Sequence, residues 1–240
     1  MKTTGTLPII ALLFLNSVLT GLAQNKADEL KKQILTQAQS VGADDYAFTR
    51  TTHSEQTSSG KTEQTIVVEE FNPTKTGDAR WMLVSIDGAP PPAAEAEKYR
   101  KGSAKRRVPG YYRLADYFGS SATTSTDPRG RTVFHFTALP KETLMVMGSD
   151  ASQNGTIDAT AGEANGTPFI EQVRVTIKPM RVKLIAKIES YDATNRYRIG
   201  PEGKPLLMEQ VSDVSGSGLG KTGSVHTVVT YSDYRSLGKK

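Results

Sequence analysis

Lys98, Arg100, Lys101, Lys105, Arg106 and Arg107 place six cations within ten residues, with Tyr99 among them. Side chains of that type at that density attract anions: a lipid headgroup, an acidic protein surface or, in other compartments, nucleic acid. The residues that usually carry catalysis are far sparser. His53, His135 and His226 lie too far apart in sequence for a paired-ligand zinc motif. His135 has the richest setting, between Phe134 and Phe136, where a strand would turn it to the opposite face, toward solvent. No serine sits in a Gly-x-Ser-x-Gly elbow. The acidic neighbours Glu69-Glu70 and Asp44-Asp45 are adjacent in sequence, and on a strand adjacent side chains point to opposite faces. Residues 216–222 read Gly-Ser-Gly-Leu-Gly-Lys-Thr, the ending of a phosphate loop, but Ser215 occupies the position of its first glycine and a strand follows where a helix is required. A flexible hairpin loop is expected there. The pattern favours a protein without catalytic residues, metal or cofactor.

The chain has 240 residues and no cysteine, which removes disulfides, thiolate metal sites and cysteine nucleophiles. Its start reads as an export leader. Lys2 supplies the positive end, residues 7–19 an apolar run broken by Pro8, Asn16 and Ser17, and Gly21-Leu22-Ala23 the small residues before a cut after Ala23. The run is shorter than the ~20 apolar residues of a membrane span, so a cleaved leader rather than an anchor is expected. Export without any cysteine points to a bacterial periplasm, where nucleic acid is an improbable partner. The sequons at Asn154 and Asn165 have no role in that compartment. Residues 24–240 then form one β-rich domain.

Stepping along that domain, Ala27, Leu30, Ile34, Leu35, Ala38 and Val41 recur at three- and four-residue spacing, predicting a helix over 26–41 that Gly42 stops. Strands are expected at 46–52 and 62–71, joined through the turn cluster at 57–61, and at 80–86. Pro92 opens a helical insertion over 93–118, with Gly102 and Ser103 weakening its middle and Tyr111, Leu114, Ala115 and Phe118 at helical spacing. Strands return at 131–138 and 143–148. Residues 149–167, rich in small and polar types, are expected to form a flexible loop with a turn at Asn154-Gly155. Further strands follow at 169–191, where Pro179 marks a bulge or a crossing, and at 196–199, 206–214 and 224–234. The fold class is mainly β (α+β): a large twisted antiparallel sheet or half-barrel, with an N-terminal helix and an inserted helical segment covering one face.

The order of elements, together with Tyr46-x-Phe48, Arg80-Trp81 and Ile86-Asp87-Gly88, resembles the LolA/LolB-like proteins, periplasmic lipoprotein carriers that include sensor domains of the RseB type. The resemblance covers the layout of residues 27–234. It implies a curved sheet wrapped around helices and enclosing an apolar cavity, hence a non-enzymatic carrier for a lipid or an acylated protein. Period-two alternation nominates Trp81, Leu83, Phe134, Phe136, Val173, Val175, Leu184 and Ile188 as cavity walls. The six cations of residues 98–107 are the expected contact with an anionic membrane surface or an envelope protein. An envelope interaction or sensor module with a filled sheet interior is the alternative, and the sequence leaves the ligand and the oligomeric state open.

Overall fold

A computed structural model describes residues 10–182, 186–218 and 221–237, with side chains from residue 25 onward. The first nine residues of the expected leader, and Leu184 among the nominated wall residues, lie outside the described residues. Helix α1, Ile10–Ser40, contains the stripe read from the sequence. Ala27, Ile34, Ala38 and Val41 are buried, and Leu30 and Leu35 pack half-buried against the core. Among the described residues no helix is long and apolar enough to cross a membrane.

The body is one open antiparallel sheet of eleven strands. β1 (Tyr46–Ser58), β2 (Lys61–Phe71) and β3 (Trp81–Ile86) form one wing. β4 (Thr123–Thr126) and β5 (Thr132–Phe136) form the other. β8 (Gly155–Ala164), β9 (Thr167–Ile177), β10 (Met180–Val182), β11 (Ala186–Ile199), β12 (Pro205–Gly218) and β13 (Lys221–Ser236) make the middle. Between β5 and β8, β6 (Met145–Val146) and β7 (Ser149–Asp150) form a small separate hairpin. The strand order is β3-β2-β1-β13-β12-β11-β9-β8-β5-β4, with β10 also paired to β11, so β3 and β4 are the edges and no barrel closes. Pro179 interrupts a strand whose two parts, β9 and β10, pair with the same neighbour: a break, with no crossing.

Turn chemistry sets the registers. Ser59-Gly60 and Asn165-Gly166 each take two consecutive positive φ angles, 52° and 77° in the first and 53° and 74° in the second. That is the type I′ geometry which matches the twist of a two-residue hairpin. The β8–β9 turn therefore falls at Asn165-Gly166, and Asn154-Gly155 instead ends a short 3-10 turn and begins β8. The expected flexible loop over 149–167 is thus corrected to mostly strand. Its small residues are there for close packing: a Cβ on Gly155 would lie 2.2 Å from the Leu144 side chain, and Ala159 and Ala161 are buried under the covering layer. The glycine-rich 216–222 segment belongs to the β12–β13 hairpin, as expected, but is mostly paired strand rather than loop: β12 runs to Gly218 and β13 starts at Lys221, with Gly216 packed against the Lys187 backbone.

The insertion is shorter in helix than its composition predicts. α2 spans Ala93–Arg100, Gly102 turns left-handed at φ 81°, and 3-10 turns at Ser103–Lys105 and Tyr111–Leu114 lead into α3, Ala115–Phe118. Together with α1 it covers one face of the sheet, the inner face. Tyr111, Leu114, Tyr117 and Phe118 are its buried anchors. The Tyr111 ring meets Tyr197 edge-on at 5.3 Å, and its hydroxyl accepts the Ile170 N–H at 2.9 Å beside the β8–β9 bulge, satisfying a buried backbone donor.

Candidate functional site

Under this cover the inner face is not uniformly filled. At the β1–β3 wing, Phe48, Phe71 and Trp81 stack with centroids 4.9–5.7 Å apart and Tyr231 and Tyr234 close the cluster. Both tyrosines face inward because Asp233, at φ 52°, sits at an irregularity in the β1–β13 register and shifts the alternation by one residue. At the opposite wing Tyr117, Phe118, Phe134 and Phe136 form a second aromatic cluster. Between them Tyr191 and Tyr197 stand among smaller inward residues, and a cavity of about 430 Å³ remains.

Its floor is Ile157 of β8, Val173, Val175 and Ile177 of β9, Tyr191, Ala193, Asn195 and Tyr197 of β11, Leu207, Gln210 and Ser212 of β12, and Val229 of β13. Its roof is the insertion from Arg107 to Tyr117 and the segment Thr143 to Val146 that carries the small hairpin. The volume lies within the ~300–1,000 Å³ range of small-molecule pockets, and the lining mixes aliphatic and tyrosine side chains with the polar Arg107, Arg113, Asp116, Asn195, Gln210 and Ser212. Gln210 donates to Asn195 at 2.9 Å and accepts from the Tyr231 hydroxyl, which fixes these two floor amides. Burial pushes the Tyr191 and Tyr197 phenols up, which keeps these two walls uncharged.

The nominated wall residues divide. Val173 and Val175 line the cavity. Trp81, Phe134 and Phe136 are inward but buried in the aromatic clusters, Leu83 is half-buried opposite Glu69 on the edge strand, and Ile188 is buried beside β10. The rule of alternation finds the inward face. It does not say where along that face the packing stops, which depends on the covering layer. Tyr191, Ala193, Val229 and the roof residues were missed for that reason; the β11 alternation through Tyr191, Ala193, Asn195 and Tyr197 was the available signal.

The basic cluster also divides. Lys98 and Lys105 are exposed, and Arg100 and Lys101 pair with Glu97 on α2. Arg106 stacks on Tyr99 at 3.8 Å and pairs with Glu69 at 3.2 Å. Glu69 is a buried carboxylate on the inner face, and it also accepts from Arg50 at 2.6 Å and from Tyr99. Burial pushes its carboxyl up, but the hydrogen bonds and charges of Arg50, Tyr99 and Arg106 outweigh this and hold it below the usual glutamate range. Arg50 in turn lies over the Trp81 ring at 4.4 Å. This cluster fixes the insertion to β1 and β2. Arg107 alone of the six cations reaches the cavity.

On the outer face the strands bring Ser125, His135 and Asp158 into a row. The Ser125 hydroxyl is 2.6 Å from His135 Nε2, and His135 Nδ1 is 2.7 Å from Asp158 Oδ1. The order matches a nucleophile, base and orienting acid. Acyl transfer also requires donors aimed at a developing oxyanion. Here Ser125 stands exposed on a sheet face, and ladder N–H groups lie in the plane of the sheet. The row continues as cross-strand pairs, Arg174 with Asp192 and His226 with Asp213, which is how a solvated sheet face is built. Among the described residues no group of His, Asp and Glu could hold a metal ion.

No family model matches the chain, and no curated protein matches it. Among solved structures it is similar to a LolA superfamily protein from Nitrosomonas europaea, with 12% identity over 87% of this chain and 94% of that one and a TM-score of 0.34.

Proposed function

We propose that this protein is a non-enzymatic binding or carrier protein that holds a lipid-like group, such as the acyl chain of a lipid or of an acylated protein, between its sheet and its helical cover. The observation that carries this reading is the 430 Å³ cavity between two aromatic clusters, with Ile157, Val173, Val175, Ile177, Leu207 and Val229 as the apolar part of its floor. Each methylene transferred from water into such a space contributes ~0.8 kcal/mol, so an acyl chain is retained without any reacting group. The leader-like residues 1–23 support export with cleavage after Ala23, and a carrier of this kind would work in the periplasm. Lys98 and Lys105, with Arg100 and Lys101 beside Glu97, would supply long-range attraction to an anionic membrane or an acidic envelope partner.

Protein purified without detergent should release lipid on extraction, detected by mass spectrometry, and delipidated protein should take up the neutral dye Nile red with a rise in its fluorescence. A protein that is empty on extraction and gives no dye signal would favour the alternative, an envelope interaction module.

A further inference from the structure

The cavity has a charged mouth. A second concavity of about 280 Å³ adjoins it and shares Arg107, Arg113, Asp116 and Thr143 with it, adding Lys141 and Glu142. Arg113 pairs with Asp116 at 2.8 Å. Hydrogen bonds from Ser152 hold the Asp150 carboxyl low, and Lys141 lies near enough to help. The three cations are thus balanced by Asp116, Glu142 and Asp150, and Arg107 is a cation at the mouth that forms no ion pair among the described residues. An amphiphile whose chain fills the apolar interior must leave its head here, because a charged head drawn further in would lose water without gaining a partner. A guanidinium binds a carboxylate or phosphate through paired N–H groups, and where the head would stop Arg107 presents such a fork beside Arg113, which Asp116 already holds in place.

We infer that the ligand is an acyl chain ending in an anion, a carboxylate or a phosphate, with the head held by Arg107 and Arg113 at the mouth and Lys141 adding charge. This rests on the carrier reading above and specifies its ligand. Dodecanoate, dodecyl phosphate and dodecanol share one chain and differ only in the head, so competition of each against bound Nile red separates the two. At low salt the two anions should displace the dye about tenfold more tightly than dodecanol, the effect of one good charge-assisted hydrogen bond, and added salt should shrink the gap. Whichever anion is preferred names the head. Replacing both Arg107→Gln and Arg113→Gln should remove the advantage of the two anions over dodecanol measured on the same variant. Equal affinity of all three for the wild-type protein would overturn the inference while leaving the carrier reading intact, and this comparison needs no variant to fold. Failure of the dye and of dodecanol to bind would overturn the carrier reading itself.

Discussion

The β1–β3 wing and the middle of the sheet share one architecture and differ in what their inward side chains weigh. In the wing, Phe48, Phe71 and Trp81 meet under the insertion and leave no gap. In the middle, Val175, Ala193 and Val229 are too small to reach the roof formed by residues 107–117 and 143–146, and space remains. The roof is held up by its anchors: Tyr111 on Tyr197, Tyr117 on Phe136, and Arg106 on Glu69. A cavity in a protein of this kind is therefore a matter of spacing. Large residues, at the wings and at Tyr197 in the middle, set the height of the roof, and the small residues beside them do not fill it.

The sharpest way to break this contrast is to hollow the filled wing. Phe71 is fully buried, so Phe71→Ala should cost about 3–5 kcal/mol, read as a lowered denaturant midpoint. Next in size is Glu69→Gln, which leaves Arg50 and Arg106 without their buried carboxylate and should cost about 3 kcal/mol at neutral pH. The sign of its pH dependence follows from the lowered carboxyl. Stability from Glu69 is present above the unfolded glutamate value of about 4.3 and is lost as pH falls through the lower folded value. Wild-type protein should therefore lose stability in acid over that interval, and Glu69→Gln should show a flatter profile; parallel profiles would show that Glu69 does not titrate below its unfolded value.

Two enlargements of the same kind test filled against hollow directly. Ala159 is fully buried between Phe134 and Val173, and Ala159→Phe should cost about 1–3 kcal/mol through overpacking. Ala193→Phe projects into the cavity, and it should change stability by less than about 1 kcal/mol while abolishing Nile red uptake. Equal costs at the two sites would mean that the space in front of Ala193 is packed as tightly as the surroundings of Ala159. The smallest effect belongs to the outer face. Ser125→Ala and His135→Gln should stay within about 0.5 kcal/mol of wild type, and a fluorophosphonate probe should leave Ser125 unlabelled; covalent labelling there would make the row a reacting site.

Periodicity made most of the fold legible. The α1 stripe, the β1–β2 hairpin and the alternation in β9 and the first part of β11 follow from local spacing, and so does the antiparallel class; the continuation of β11 through residues 192–195 was missed. Residues 155–164 were not legible in this way. Gly, Ala and Thr there resemble a loop by composition, and become a strand because Leu144 and the neighbouring strands press close to them. The site was legible only in part. Val173 and Val175 follow from alternation, whereas the boundary between packed aromatic and open aliphatic surface depends on the insertion's height above the sheet. That height is set by long-range partners such as Tyr111 with Ile170 and Arg106 with Glu69, to which no local pattern points.

The β6–β7 hairpin brings sulfur chemistry to the cavity. In a chain without cysteine, methionine is the side chain that oxidants meet first, and Met147, Met82 and Met145 are 65%, 53% and 42% exposed. Met82 lies on the edge strand, but Met145 is part of the cavity roof, and Met147 is two residues further along the same hairpin. Conversion of Met145 to its sulfoxide would place a strong dipole where the wall is now apolar and soft. On the proposed carrier function, peroxide stress would then weaken the hold on an apolar ligand without unfolding the sheet, and enzymatic reduction of the sulfoxide would restore it.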